Sequence, residues 1–323
     1  MSALLSSAGA LAWGRRVSQS TRERLTGRSF VIGIPYLWLL AFFLLPFLVV
    51  LKISFSEMGP AAVNDVLSVK DGVMQLTLRG TNYFFLTQDA LYIKTFVSSV
   101  RYAAITTLWC LLIGYPFAYF MARAKATVQP VLLMMVMLPF WTSFLLRVYA
   151  WKGLLGENGL IADALIATHL DVALAALGLI PSPGKFMNTP LSLMVGMVYS
   201  YVPFMILPLY SNLSKMDLRL LEAAADLGAK PIVGFWKITV PMSKAGIIAG
   251  SMLVFIPCIG EYVIPEILGG PETLMIGRVL SDEFFSNNDW PMAATVAVVM
   301  VLLIVVPVAI FNRYQAQVQE TRR

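Results

Sequence analysis

Uncharged, strongly apolar runs alternate along the chain with short charged stretches. Several runs reach the roughly 20 residues that a membrane-spanning helix requires. The first lies between Arg28 and Lys52, and others cover 102–122, 126–146 and 186–214. A fifth begins at Ala245 and stays uncharged to Gly260, where Glu261 interrupts it; a sixth covers 291–312. The pattern predicts an all-α membrane protein with six spanning helices. It divides into an N-terminal tail (1–29), a transmembrane domain (30–312) with a long polar loop at 214–244, and a C-terminal tail (313–323). Residues 158–180 are also apolar, but Asp163, His169 and Asp171 divide them, so short helices lying at the membrane interface are expected there. Within 55–94, Leu67 and Val69 alternate with polar residues, Asp71-Gly72 follows, and Met74, Leu76 and Leu78 alternate again. That is the pattern of a β-hairpin with a two-residue turn, the alternative being a solvated loop edge.

Composition agrees with a membrane protein. Hydrophobic residues make up 58% of the 323 and charged residues 13%, against roughly 45–50% and about 25% in soluble domains. The net charge of +6 would raise nucleic acid as a partner if it were spread over a soluble surface. Instead it is partitioned by loop. With the N-terminus inside, the inner segments hold 15 Lys and Arg and 5 acids, and the outer segments hold 7 and 13. Lys and Arg accumulate on cytoplasmic loops, so both termini are expected inside and no nucleic acid is needed to explain the charge. A seventh span at 158–180 would invert every later loop and undo this bias. The apolar stretch at the N-terminus precedes its arginines, the reverse of a secretory signal. Cys110 and Cys258 lie within apolar runs and read as small buried residues, and the single histidine, His169, makes a histidine-based metal site improbable.

The loop between the fourth and fifth runs carries the most information. Leu220, Leu221, Ala224 and Leu227 recur at helical spacing, predicting an amphipathic helix over 217–227. Gly228 stands where a helix ends in left-handed geometry, Pro231 can start a second short helix, and Pro241 is expected to break the chain before the fifth span. The result is a helix–turn–helix knob presenting Ala223, Ala224 and Ala225. No phosphate-binding G-x-x-x-x-G-K-[ST] loop is present, since Gly184-Lys185 is followed by Phe186. A transporter built this way takes its energy from elsewhere.

The same loop resembles the signature of ABC-importer permeases. Glu222-Ala223-Ala224 is followed at the family spacing by Gly228, Ile238, Val240 and Pro241, with Val240 replacing the usual Leu. The resemblance implies that this segment docks into an ATP-binding subunit and transmits its closure to the membrane helices. The stretches 138–151, 201–208 and 250–270, with 275–278 and Asp289-Trp290-Pro291, make the chain similar along most of its length to polyamine-importer permeases, most of all those of putrescine type. What the resemblance implies is a permease of the type I importer fold (MetI-like) in a bacterial inner membrane, moving putrescine or spermidine. It also implies a second homologous permease, an ATPase dimer that binds ATP and Mg²⁺, and a periplasmic solute-binding protein. No catalytic residue, metal or cofactor is expected in this chain, which is a transport subunit and not an enzyme. An ion-driven secondary transporter of a small cation is the alternative; it would lack a use for the Glu222–Pro241 loop.

Translocating a polycation calls for carboxylates and aromatic faces. Glu261 is the leading pathway residue, roughly 24 Å along the fifth span from Ala245 and flanked by Pro257 and Pro265. The competing role is an ion pair with Arg101. Tyr201, Trp141 and Tyr262 are the aromatic pathway candidates, with Tyr149 and Trp151 beside them. For each of these except mid-span Tyr201, anchoring at the membrane interface is the plainer role.

Overall fold

A computed structural model describes residues 30–59, 63, 67–70 and 73–320. They fall into two units that divide between Arg79 and Gly80. The first contains helix α1 (Phe30–Ser54) and a hairpin of β1 (Leu67–Lys70) with β2 (Val73–Leu76). The strands pair antiparallel, Leu67 opposite Leu76 and Lys70 opposite Val73, so the expected hairpin forms; its Asp71-Gly72 turn lies outside the described residues. Arg79 pairs with Glu57 beside it.

The second unit runs α2 (Thr81–Gln88), α3 (Ala90–Arg123), α4 (Gln129–Trp141), α5 (Phe144–Leu155), α6 (Leu160–Ala167), α7 (Leu170–Ala176) and α8 (Pro190–Leu213). It continues with α9 (Arg219–Asp226), α10 (Pro231–Met242), α11 (Lys244–Ile259), α12 (Val263–Ile267), α13 (Ile276–Ser281) and α14 (Trp290–Glu320). Among the described residues, four helices are long and apolar enough to cross a membrane (α1, α3, α8 and α14), and six spans result if each of two bent pairs counts as one. The segment 158–180 forms the two short helices α6 and α7, as its interrupting charges require.

The third span departs from expectation. The run 126–146 is not one helix: α4 ends in a 3₁₀ turn, and the helical stretch Phe144–Ala167 leaves it at 87°. Pro139 cannot donate in the helix ladder, and the Thr142 hydroxyl bonds back to the Pro139 carbonyl at 2.8 Å, so the chain turns extended at Thr142. The break expected before the fifth span is present: Pro241 lies inside α10, and the chain bends just past it, after Met242, by 64° into α11. A π turn over Phe235–Thr239 precedes it. Widening the helix just where Pro241 would clash with a carbonyl lets the helix continue through the proline.

The core is made by α3, α8 and α11, each packed on the other two. Cys110, Met197, Met205, Leu209, Val254 and Cys258 fill it, and both cysteines are free and buried. Gly246 and Gly250 set the spacing of α11 against α8. A Cβ on Gly250 would stand 2.7 Å from Met205 Sδ and 3.1 Å from the Met205 carbonyl oxygen. Such small-x-x-x-small faces let membrane helices approach at backbone distance, where dispersion replaces the hydrophobic effect as the packing force.

Candidate functional site

Two places on the second unit combine sequence signal with specific geometry, and they stand at opposite ends of α11. The first is the knob. Asp217 Oδ1 accepts from the Arg219 N–H at 3.1 Å and so anchors the start of α9. At its end, Gly228 has φ +80°. The Gly228 N–H bonds Ala225 O and the Ala229 N–H bonds Ala224 O, at 2.8 and 2.9 Å, which is the paired C-terminal closure that glycine permits. Pro231 opens α10, and Leu221 packs against Gly234 to hold the two helices together.

Glu222, Ala223 and Ala225 are exposed, and Ala224 and Ile238 are half-buried. Leu227 is 89% exposed, and Leu220, Ile232 and Trp236 are also uncovered. Such a cluster beside small side chains is an exposed apolar patch of the kind that marks interaction surfaces.

The knob is clasped to the core by aromatics. The Phe235 ring, on the π turn, stands edge-on to Tyr115 and Tyr119 of α3, each at 5.7 Å between centroids. Tyr115 Oη lies 2.8 Å from Oγ of Ser243, the residue at the bend between α10 and α11. The knob is thus tied to α3 and, through Ser243, to the start of α11. The sequence reading did not find these residues. The available signal was a pair of tyrosines four apart at one end of a spanning helix.

The second place is the far end of α11. Pro257 lies within the last turn, and the helix stops at Gly260 before α12 begins. Glu261 is buried between them. Its Oε2 accepts from the Tyr201 hydroxyl at 2.5 Å, and its Oε1 accepts from the Val263 and Ile264 N–H groups at 3.0 and 3.4 Å. The carboxylate thus caps α12, satisfying donors that the helix start leaves free. Arg101 does not pair with it among the described residues; it is exposed, its guanidinium 5.9 Å from the Tyr102 ring centroid. Of the predicted aromatics, the fold brings Tyr201 to Glu261. Tyr262 follows Glu261 in the chain and is half exposed, Trp151 packs edge-on to Tyr199, and Tyr149 and Trp141 are exposed, Trp141 by 77%. Among the described residues no cluster of His, Cys, Asp and Glu could hold a metal.

Comparison with known proteins gives this architecture its family. Residues 110–317 match the family described as binding-protein-dependent transport system inner membrane component. The chain is 36% identical over 287 residues to the spermidine/putrescine transport system permease protein PotB of Haemophilus influenzae, covering 87% of this chain and 92% of that one. It is 37% identical over 273 residues to PotB of Escherichia coli K12, covering 83% and 92%. Among solved structures, a bacterial alginate ABC transporter in complex with its oligosaccharide-bound periplasmic protein shares the fold, with a TM-score of 0.63 at 12% identity over 91% of this chain and 97% of that one. The signature loop and its knob fall within the matched residues, and family membership removes the ion-driven alternative. The chain belongs to the binding-protein-dependent transport system inner membrane components, and it is a transport subunit of the inner membrane, not an enzyme.

Proposed function

We propose that this chain is one of two permease subunits of an ATP-driven importer of polyamines, putrescine or spermidine, and that the cation passes the face where Glu261 and Tyr201 meet. The observation that carries the reading is Glu261 itself: a buried carboxylate held by one phenol and two backbone N–H groups, at a break in a membrane helix. An ionised group at such a depth is costly and is kept where it acts on a charged passenger. An alkylammonium group would take the place of the Tyr201 hydroxyl on Oε2, leaving the two backbone donors to hold the carboxylate. Tyr262 and Trp141 would offer aromatic faces along the path. The names of the 36–37% identical relatives support the same substrate class.

The knob of Glu222, Ala223, Ala224, Gly228, Ile238 and Pro241 docks on an ATPase dimer, which binds ATP and Mg²⁺. A periplasmic solute-binding protein delivers the substrate at the Glu261 end. Both termini lie in the cytoplasm, as the distribution of Lys and Arg over the loops supports. Closure of the ATPases pushes the knob, and the Phe235–Tyr115–Ser243 clasp carries that movement into α3 and α11.

Uptake of labelled putrescine and spermidine by proteoliposomes holding the assembled complex tests the proposal. ATP-dependent uptake requiring the binding protein is expected. ATP-driven uptake of a different solute class, with no response to polyamine, overturns the substrate. Labelling of cysteines at 214–237 from outside sealed cells overturns the orientation.

A further inference from the structure

A third feature takes no part in either site. An apolar groove of about 580 Å³ runs between α3 and α8. Every third or fourth residue of α3 from Tyr102 to Ile113 lines one wall, and the same spacing on α8 from Leu191 to Val202 lines the other. The two helices run parallel here: Thr106 meets Met197, Cys110 meets the Val198 carbonyl, and Gly114 packs on Met205. Each wall is therefore about 17 Å long, and the volume spread over that length leaves a cross-section of about 35 Å². Arg101 stands at one end of the groove and is the only charged side chain in its wall. It is exposed, and among the described residues it forms no ion pair, whereas Arg79 and Arg278 each hold a carboxylate.

We infer that this groove holds one acyl chain of a phospholipid whose phosphate pairs with Arg101. Depth, width and charge each select that occupant. Arg101 and Arg123 bracket the uncharged part of α3 and stand roughly 33 Å apart along it, close to the thickness of a hydrocarbon core, about 30 Å. Arg123 is at the knob end, one turn beyond Tyr119, which touches Phe235. Arg101 therefore lies at the opposite boundary, the level of the lipid phosphates. From there the groove reaches about 17 Å inward, the depth at which the chains of one leaflet end. Its cross-section is too narrow for a spanning helix, which is roughly 10–12 Å wide with its side chains, but takes an unbranched hydrocarbon chain. A guanidinium with no carboxylate beside it can pair bidentately with a phosphate, and basic residues beside clefts between spanning helices hold lipid headgroups in this way.

The full-length chain, purified with its partners through a tag, is stripped of lipid and titrated with phosphatidylglycerol, and native mass spectrometry counts the lipids retained. Arg101→Gln is expected to weaken the tightest-bound phosphatidylglycerol about tenfold, the loss of one charge-assisted pairing. Val198→Trp, which fills the groove and keeps the arginine, should lose the same lipid. Diacylglycerol, which has the chains without the phosphate, should bind wild type about tenfold more weakly than phosphatidylglycerol and be indifferent to Arg101→Gln. In intact membranes, Val195→p-benzoylphenylalanine is expected to crosslink to phospholipid. Equal retention by wild type and both variants overturns the site. Loss in Arg101→Gln alone overturns the seating of the chain in the groove. Loss in Val198→Trp alone, or diacylglycerol bound as tightly as phosphatidylglycerol, overturns the pairing with phosphate. Crosslinking at position 195 to another protein chain and not to lipid overturns the choice of occupant.

Discussion

The two ends of α11 are both broken, and they are broken with different chemistry. At Ser243 the surroundings are rings and hydroxyls, with Phe235 gripped by Tyr115 and Tyr119 and the bend latched by one hydroxyl pair. At Glu261 the break is filled by a carboxylate that bonds one phenol and two backbone N–H groups. Neutral aromatic contacts hold their geometry without regard to charge and suit the transmission of displacement. A buried anion responds to the charge of what passes. On the proposed reading one helix has a mechanical end and an electrostatic end, and substitutions at the two ends should fail in different ways.

The largest effect is expected at the mechanical end. Ala224→Trp places an indole on the half-buried face of the knob, and a clash costing about 3 kcal/mol corresponds to roughly a hundredfold loss of polyamine uptake. Permease abundance in the membrane should remain normal while the ATPase is lost on purification. Uptake at the wild-type rate would show that the knob does not dock. At the electrostatic end, Glu261→Gln keeps the size and the cap but removes the charge. We expect about a tenfold fall in uptake, or roughly 1.4 kcal/mol, with the complex assembled and its ATPase still stimulated by the binding protein. Because Arg101 does not pair with Glu261, Arg101→Gln should give no rescue; rescue would restore the ion-pair role.

Smaller effects sharpen the contrast. Tyr201→Phe leaves a buried carboxylate oxygen without its donor, a cost of about 1–3 kcal/mol. A lowered unfolding temperature of the purified complex would register it, and an unchanged one would mean that the bond contributes nothing. Gly228→Ala puts a Cβ on a residue at φ +80°, at a cost of about 1 kcal/mol confined to the knob. It should reduce coupled ATP hydrolysis by a few-fold without altering thermal stability, and an equal loss of stability would spread the role of this turn beyond docking.

Much of the fold was legible because membrane burial writes long uncharged runs, and the knob was legible because capping and turn residues act locally: Gly228 and Pro231 fulfil the roles their chemistry predicts. The third span was misread because a break needs only Pro139 and a hydroxyl at Thr142, neither of which interrupts an apolar run. The break before the fifth span falls two residues past Pro241, because a π turn, which has no residue signature, precedes the proline and lets the helix run through it. Glu261 could be singled out as a charge next to an apolar run, but its partner could not. Tyr201 is 60 residues away, and only the packing of α8 on α11 brings the two together.

The length of α11 has one further consequence. Its 16 residues amount to about 24 Å, less than the roughly 30 Å of a typical hydrocarbon core. Because Glu261 bonds Tyr201 in the middle of α8, α11 ends inside the oily layer and not beyond it. The short helix α12, with Ile264 and Pro265 buried, therefore continues in protein the crossing that α11 leaves unfinished.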